Sequence, residues 1–267
     1  MHKSNGGFDF WDKEKDKVID MYVNDKMSSC KIAKIYDCHD STIIRQLKRW
    51  DVEIRRNRYN NVYDLDERYF ENINTANKAY IIGLLLTDGH LSKNGALMLT
   101  LKDLDIMEKY KKELKSNAPI RYDKYGNPTL NIVCKNFNDD LLKLGFHNRK
   151  SYEIDIDKIL SFIPKEFEHH FVRGLFDGDG GIHIYEYDYT IKEQCVFQFT
   201  GLKNVCDYVY NYLELTTKYV EESDITYTIR VGNPLKIKEI FDKLYSNADI
   251  YIERKYNTFL EIIDKRC

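Results

Sequence analysis

Two aspartates, Asp88 and Asp179, hold corresponding places in two similar stretches of the chain. The stretches are AYIIGLLLTDGHL (79–91) and FVRGLFDGDGGI (171–182), and each predicts an apolar helix that ends in Asp-Gly. Small residues recur one helical turn apart in both stretches, namely Gly83 with Thr87 and Gly174 with Gly178. Residues at that spacing share a helix face, so the two helices can pack almost backbone to backbone. Such packing would bring the two carboxylates together at one end.

Carboxylates at the C-terminal ends of helices predict a bound cation. A helix C-terminus carries partial negative charge, and an acid there costs a few tenths to about 1 kcal/mol. Two neighbouring carboxylates also repel each other. Because carboxylate oxygens with open positions suit Mg²⁺ and phosphate oxygens, we expect Asp88 and Asp179 to hold Mg²⁺. The expected metal site includes Gly89 and Gly180, in the left-handed conformation that closes a helix.

Two other interpretations of the Asp-Gly pairs stay open. Such a pair can simply form the turn between a buried helix and a strand. A calcium-binding loop is the other alternative, although its alternating acidic pattern is broken at Gly181. The presence of two copies at a repeat spacing favours a catalytic role.

Both stretches resemble the LAGLIDADG motif of homing endonucleases. The match is close for VRGLFDGDG (172–180) and looser for IIGLLLTDG (81–89), where Leu86 replaces the first acid of the motif. The second acid, which is catalytic in the family, is present in both copies. The resemblance implies metal-dependent hydrolysis of both DNA strands, with about two or three Mg²⁺ ions per site and Mn²⁺ able to substitute. It also implies a catalytic lysine in each half, and Lys150 and Lys255 occupy equivalent places in the two copies.

Residues 78–267 contain one pattern twice, in copies of about 78–167 and 168–267. Each copy predicts a helix, two strands, a helix, two strands and a helix, which makes the fold class α+β. The resemblance covers this whole region and implies a monomer with a pseudo-two-fold axis, whose two antiparallel sheets form a saddle over double-stranded DNA. Because side chains alternate across a strand, one face of each sheet would meet the DNA. The residues that we expect on that face are Lys93, Lys102, Arg121, Lys124, Lys135, His183, Tyr185, Lys192, Gln198 and Arg230.

The segment 1–58 predicts a small all-α domain, followed by a linker at 59–77. Its last helix, STIIRQLKRW (41–50), and the two before it resemble a helix-turn-helix module, in which the last helix enters the major groove. The expected base-reading side chains are Thr42, Arg45, Gln46 and Arg49. A basic arm that follows is expected to contact phosphates through Arg55, Arg56 and Arg58. The alternatives are an ordinary three-helix packing unit and a solvated linker.

Composition places the chain among globular proteins of the cytoplasm. Its 267 residues carry a net charge of −2, which by itself argues weakly against nucleic-acid binding, whereas the local basic cluster at 40–60 argues for it. No apolar run reaches the length of a membrane span, and the N-terminus lacks the apolar region of a signal peptide. The six cysteines form no CxxC pair, so we expect reduced thiols and no zinc site. A bacterial, phage or organellar-matrix protein without a membrane or protein partner is expected.

Two functions without cleavage compete with the endonuclease. One is a transcription regulator that joins a degenerate LAGLIDADG domain to a helix-turn-helix. The other is an intron RNA maturase that uses the same saddle for RNA. Retention of both Asp88 and Asp179 argues against the regulator, and metal-dependent cutting of DNA would separate the endonuclease from both.

Overall fold

A computed structural model describes residues 8–54, 63–92, 95–147, 154–185, 194–216, 220–221 and 225–267. The chain forms two compact units, Met1–Val62 and Tyr63–Cys267. Each unit has its own cluster of buried apolar side chains. Across the described ranges, no helix has the length and apolar character needed to cross a membrane, and the six cysteines are free thiols.

The first unit is helical. Its elements are α1 (Phe8–Lys13), α2 (Lys15–Val23), α3 (Ser29–Ile35) and α4 (Asp40–Arg49). They pack around a core that includes Trp11, Val18, Ile32, Ile43 and Leu47. Helix α3 begins where the Ser28 hydroxyl accepts a hydrogen bond from the Lys31 amide, which makes Ser28 the N-cap of the helix.

A short turn joins α3 to α4. Asp37 adopts φ = 48° in this turn. That left-handed conformation usually favours glycine, but the short polar side chain of aspartate also tolerates it. The turn therefore forms although it contains no glycine.

The second unit contains the predicted repeat. The first copy runs α5 (Ala76–Thr87), β1 (Gly89–Leu91), β2 (Ala96–Thr100), α6 (Leu104–Glu113), β3 (Arg121–Tyr122), β4 (Pro128–Val133) and α7 (Lys135–Leu144). After the short helix α8 (Ile156–Leu160), the second copy runs α9 (Glu168–Asp179), β5 (Gly180–Tyr185), β6 (Gln194–Leu202), α10 (Lys203–Tyr212), β7 (Val220–Glu221), β8 (Thr226–Val231) and α11 (Pro234–Tyr245). The chain ends with α12 (Glu253–Arg266). The predicted α+β fold and its αββαββα order are confirmed.

The two sheets are equivalent strand for strand. Their orders are β1-β2-β4-β3 and β5-β6-β8-β7, and every pairing is antiparallel. One face of each sheet packs on the helices through alternating buried side chains. The other face carries a matching pair of threonines, with hydroxyl oxygens 2.9 Å apart between Thr100 and Thr129 and 2.8 Å apart between Thr200 and Thr228. The duplication is therefore preserved to single residues.

The segment predicted as a linker belongs largely to the second unit. Its described residues, 63–77, place Tyr69, Phe70 and Ile73 in the main core. The Phe70 ring lies 4.8 Å from the Phe137 ring, centroid to centroid. The prediction is wrong here because these aromatic side chains cover the apolar surface of the first repeat, a contact that leaves no local periodicity.

Candidate active site

Helices α5 and α9 cross with their backbones in contact. A Cβ atom on Gly83 would lie 2.2 Å from the Phe171 carbonyl oxygen, and one on Gly174 would lie 2.1 Å from the Tyr80 carbonyl oxygen. Neither position has space for a side chain. The crossing predicted from the small residues is therefore confirmed.

This crossing brings the two motif aspartates to neighbouring helix ends. Asp88 is the C-cap of α5 and is half-buried, whereas Asp179 is the last residue of α9 and is exposed. A Cβ atom on Gly178 would lie 2.6 Å from Asp88 Oδ2. The Asp88 carboxylate thus contacts the residue that precedes Asp179.

A cavity of 330 Å³ opens beside these helix ends. Asp179 lines it together with the hydroxyl-bearing residues Thr87, Thr200 and Thr226, and apolar side chains complete its wall. The cavity therefore offers carboxylate and hydroxyl oxygens, which are ligands for hard cations and their bound waters.

The donor set decides whether a cation fits this site. Within the described part of the chain, no three His, Cys, Asp or Glu side chains form a group that could hold a metal. Mg²⁺ usually keeps several waters and is held by one or two carboxylates together with substrate phosphates. Asp88 and Asp179 therefore fit a cation whose remaining ligands come from water and a phosphate, and do not fit a metal cage made of protein alone.

The two glycines after the aspartates have a different role from the predicted one. Gly180 is extended, with φ = −91° and ψ = 168°, and Gly89 is not among the described glycines with positive φ. A Cβ atom would lie 2.5 Å from the Leu85 carbonyl oxygen at Gly89, and 2.5 Å from the Phe176 carbonyl oxygen at Gly180. The left-handed prediction is wrong because each helix runs directly into a strand, and glycine is needed for close approach to the preceding turn.

Lys255, predicted to be catalytic, caps the end of α9. Its side chain is only 4% exposed, and Nζ donates to the carbonyl oxygens of Phe176 (2.9 Å), Asp177 (2.6 Å) and Gly180 (2.6 Å). An ammonium group has three N–H donors, so these contacts use all of them. Burial lowers the pKa of Lys255. The structure contradicts the predicted catalytic role of Lys255, because all three donors are used within the protein, while Lys150 lies outside the described residues.

Asp177, the first acid of the second motif copy, is a buried acceptor. It is 2% exposed and accepts hydrogen bonds from Tyr80 Oη (2.8 Å), Tyr245 Oη (3.3 Å) and the Ile252 amide (3.0 Å). Burial raises the pKa of its carboxyl, and the positive charge of Lys255 opposes that rise. The motif identified Asp177 as its first acid, but its partners come from distant parts of the chain and leave no local signal.

Several predicted DNA-facing residues of the second repeat lie on the open face of its sheet. His183, Tyr185 and Arg230 are exposed there, and Gln198 is half-buried. Arg230 Nε donates to Gln198 Oε1 at 3.4 Å, across the β6–β8 pair. Lys192 lies outside the described residues.

The first repeat matches the prediction less closely. Arg121, Lys102 and Lys124 are exposed, and Arg121 stands opposite Thr129 on the open face of the sheet. Lys135 is the first residue of α7 and pairs with Asp139 one turn later. Its assignment to the DNA-facing side of a strand is wrong because α7 already begins at Lys135. Lys93 lies outside the described residues.

Helix α4 exposes only part of the face that was predicted to contact DNA. Arg45 is exposed and Thr42 half-buried, but Gln46 is only 4% exposed and Arg49 pairs with Asp12. The prediction is wrong for Gln46 because α4 buries Ile43, Gln46 and Leu47 together. Its outward side chains include Ser41, Arg45 and Lys48, with Ile44 half-buried beside them. Arg55, Arg56 and Arg58 lie outside the described residues.

Comparison with known proteins gives structural likeness only. No protein-family model and no curated protein matches the chain. The I-LtrWI LAGLIDADG homing endonuclease bound to target DNA is 14% identical, with a TM-score of 0.51 over 74% of this chain and 91% of that chain. The LAGLIDADG homing endonuclease I-GzeII in complex with its DNA target is 11% identical, with a TM-score of 0.52 over 70% of this chain and 88% of that chain. A mutant of I-SmaMI is 14% identical, with a TM-score of 0.52 over 70% of this chain and 92% of that chain.

Proposed function

The chain has the fold of the LAGLIDADG homing endonucleases, and we propose that it is a site-specific endonuclease that hydrolyses both strands of double-stranded DNA. The observation that carries the proposal is the meeting of Asp88 and Asp179 at adjacent helix ends. Two acids so placed repel each other and the negative ends of the helix dipoles. Cations bound between the carboxylates and the DNA phosphates would remove this repulsion. Since one chain contains both motif copies, it acts as a monomer.

Asp88 and Asp179 would hold the divalent ions, with Mg²⁺ as the expected metal and Mn²⁺ as a substitute. Such ions would activate water and stabilise the leaving oxygen. The protein's own contribution is placement. The glycine crossing fixes the distance between the helices, and the hydroxyl of Thr87 lies 3.3 Å from Asp88 Oδ2. The Asp88 carboxylate is thus held in position before DNA binds.

The open faces of the two sheets would contact the DNA. Arg121, His183, Tyr185 and Arg230 are exposed there and offer hydrogen-bond donors to phosphates and base edges. Arginine pairs best with guanine in the major groove, so Arg230 is the first candidate for direct readout. These residues assign different base preferences to the two half-sites.

The N-terminal unit would add a second DNA contact through α4. The burial of Gln46 moves the contact face to Ser41, Ile44, Arg45 and Lys48. Hydroxyl and basic side chains suit phosphates and guanine edges, and an isoleucine can contact a thymine methyl group. Replacing Arg45 should therefore weaken binding at one end of the site, and Gln46→Ala should act on stability instead.

The deciding experiment replaces each motif aspartate by asparagine, which has nearly the same shape and no charge. A target is first selected from a random DNA library as a product cleaved in Mg²⁺. Asp88→Asn and Asp179→Asn should each abolish double-strand cleavage, while specific binding in Ca²⁺ persists. Each variant should melt at an equal or higher temperature without metal, because a repulsion between like charges has been removed.

Three results would count against the endonuclease. Full cutting by either variant would show that its aspartate is not needed. Specific binding of DNA by the wild type without any cutting would favour the transcription regulator, and preference for intron RNA over duplex DNA would favour the maturase.

A further inference from the structure

A short segment at the start of α12 contacts both repeats beside the motif aspartates. We call residues 251–255 the α12 entry segment. We propose that Lys255, within this segment, is a positioning residue that fixes the backbone on both sides of Asp179. The proposal rests on the proposed endonuclease function, since it assigns Lys255 a part in placing one of the two motif carboxylates.

On the side of the second repeat, the segment binds the last turn of α9. Lys255 Nζ donates to the carbonyl oxygen of Asp177 at 2.6 Å and to that of Gly180 at 2.6 Å. These carbonyls belong to the residues two before and one after Asp179. The last carbonyls of a helix have no partners within the helix, and a cation at this end also offsets the helix dipole. One ammonium group therefore holds the chain as it leaves α9 and enters β5.

On the side of the first repeat, the segment is tied to the start of α6. Arg254 donates to both carboxylate oxygens of Asp103, at 3.1 Å from Nε and 2.9 Å from Nη2. Lys109 Nζ lies 2.8 Å from Glu253 Oε1. The backbone around Asp179 is thus held in place relative to both halves of the second unit.

At the end of α5, a side chain of the helix itself donates to a main-chain carbonyl. Thr87 Oγ1 donates to the Leu84 carbonyl oxygen at 2.8 Å, within α5 itself. Glycine stands at the equivalent place in α9, Gly178, so that helix has no hydroxyl to offer. Every carbonyl that Lys255 binds lies in α9 or directly after it. Loss of Lys255 should therefore displace Asp179 more than Asp88.

The test measures the cleavage rate of each DNA strand separately, on duplexes labelled on one strand or the other. Lys255→Met keeps most of the side-chain volume and removes all three donors. It should slow the strand that depends on Asp179 by about 10- to 100-fold relative to the other strand, because small misplacements of a reacting group cost about that much. That strand is identified as the one slowed more by Asp179→Asn than by Asp88→Asn.

Arg173→Met is the matched control. Arg173 is also a buried cation of the same region that donates to main-chain carbonyls, those of Leu244 and Ile250. It lies in the middle of α9, away from the end that carries Asp179. Its replacement should lower thermal stability in a similar way without changing the ratio of the two strand rates.

A second readout does not depend on cutting. Electron paramagnetic resonance of Mn²⁺, titrated into the variant bound to target DNA at low temperature, should show weaker Mn²⁺ binding for Lys255→Met than for Arg173→Met. Should Lys255→Met fail to fold, Lys255→Gln, which keeps an amide donor, takes its place in both measurements.

The outcomes separate this proposal from the function on which it rests. A wild type that cuts neither strand removes the proposed function. A wild type that cuts both strands, with Lys255 variants that slow them equally and bind Mn²⁺ like the Arg173 control, overturns only the role of Lys255.

Discussion

Helices α5 and α9 make equivalent backbone contacts at their crossing, but their buried side chains differ in polarity. At four buried positions α9 carries polar or charged residues, which are Glu168, His170, Arg173 and Asp177. At the equivalent positions, counted from Gly83 and Gly174, α5 carries Asn77, Ala79, Ile82 and Leu86. The same backbone crossing is therefore compatible with either apolar or polar buried side chains.

The difference follows from what covers each helix. Arg173 donates to the carbonyl oxygens of Leu244 (2.9 Å) and Ile250 (3.1 Å), and Asp177 accepts from Tyr245 and Ile252. All four partners lie in the chain that runs from α11 into α12. A buried charge is tolerated when every donor and acceptor around it is satisfied. The duplicated helices thus diverged where the C-terminal chain could supply partners.

The glycine crossing is the feature that the two helices share, and breaking it should have the largest effect. Gly83→Leu and Gly174→Leu each force a side chain against a carbonyl oxygen of the other helix. We expect each to reduce the free energy of unfolding by more than about 4 kcal/mol, the range of exceptional losses. Urea unfolding measures this, with Gly232→Ala as a control, because a Cβ there would lie 3.6 Å from its nearest neighbour. Unequal losses at the two glycines would mean that the crossing is not symmetric.

The second prediction tests the difference between the buried side chains of α5 and α9 directly. Asp177→Asn puts an amide among three hydrogen-bond donors and leaves the buried cations Arg173 and Lys255 without their acid. We expect a loss of about 1–3 kcal/mol in urea unfolding, since leaving buried hydrogen-bond donors without their acceptor has that cost. The motif comparison alone would predict a mild effect, because Leu86 holds the equivalent place in α5. A loss below about 1 kcal/mol would favour that simpler interpretation.

His170 should make the second repeat sensitive to acid. Burial, helped by the charges of Arg173 and His169, lowers its pKa to about 3, against 6.5 in the unfolded chain. The folded state therefore binds fewer protons, so the contribution of His170 to stability is full above pH 6.5 and is lost as the pH falls toward 3. His170→Asn keeps an acceptor for Arg173 and does not titrate. Urea unfolding over this pH range should show a smaller acid loss for the variant, and parallel curves would contradict the assignment.

The smallest effect belongs to a surface contact between the repeats. Arg254 pairs with Asp103 at 2.9 Å, but its side chain is 57% exposed. Water weakens such pairs, so Arg254→Ala should cost at most about 1 kcal/mol. A double-mutant cycle with Asp103→Ala measures the coupling between the two side chains. A coupling as large as the effect of Asp177→Asn would show that the surface contact matters as much as the buried one.

The sequence predicted the repeat and the crossing well, because both depend on local periodicity. Apolar runs that end in Asp-Gly, and small residues one turn apart, are visible in the sequence without knowledge of tertiary contacts. The roles of Gln46 and Lys255 depend on which way a helix faces its neighbours, and a polar side chain gives no local signal of burial. The prediction for Gly180 was wrong for a related reason. Glycine is needed there because the preceding turn leaves no space for a side chain, and not because of its own backbone angles.

The hydrogen bond from Tyr80 to Asp177 also affects which motif helices can pair with each other. It joins α5 to α9 at 2.8 Å, and its pseudo-symmetric counterpart is the apolar pair Phe171 and Leu86. Were α9 to pair with α9 of a second molecule, each Asp177 would face a phenylalanine and lose a donor. Were α5 to pair with α5, each Tyr80 would face a leucine and lose its acceptor. The asymmetry therefore penalises the pairing of two identical halves and favours the pairing of α5 with α9.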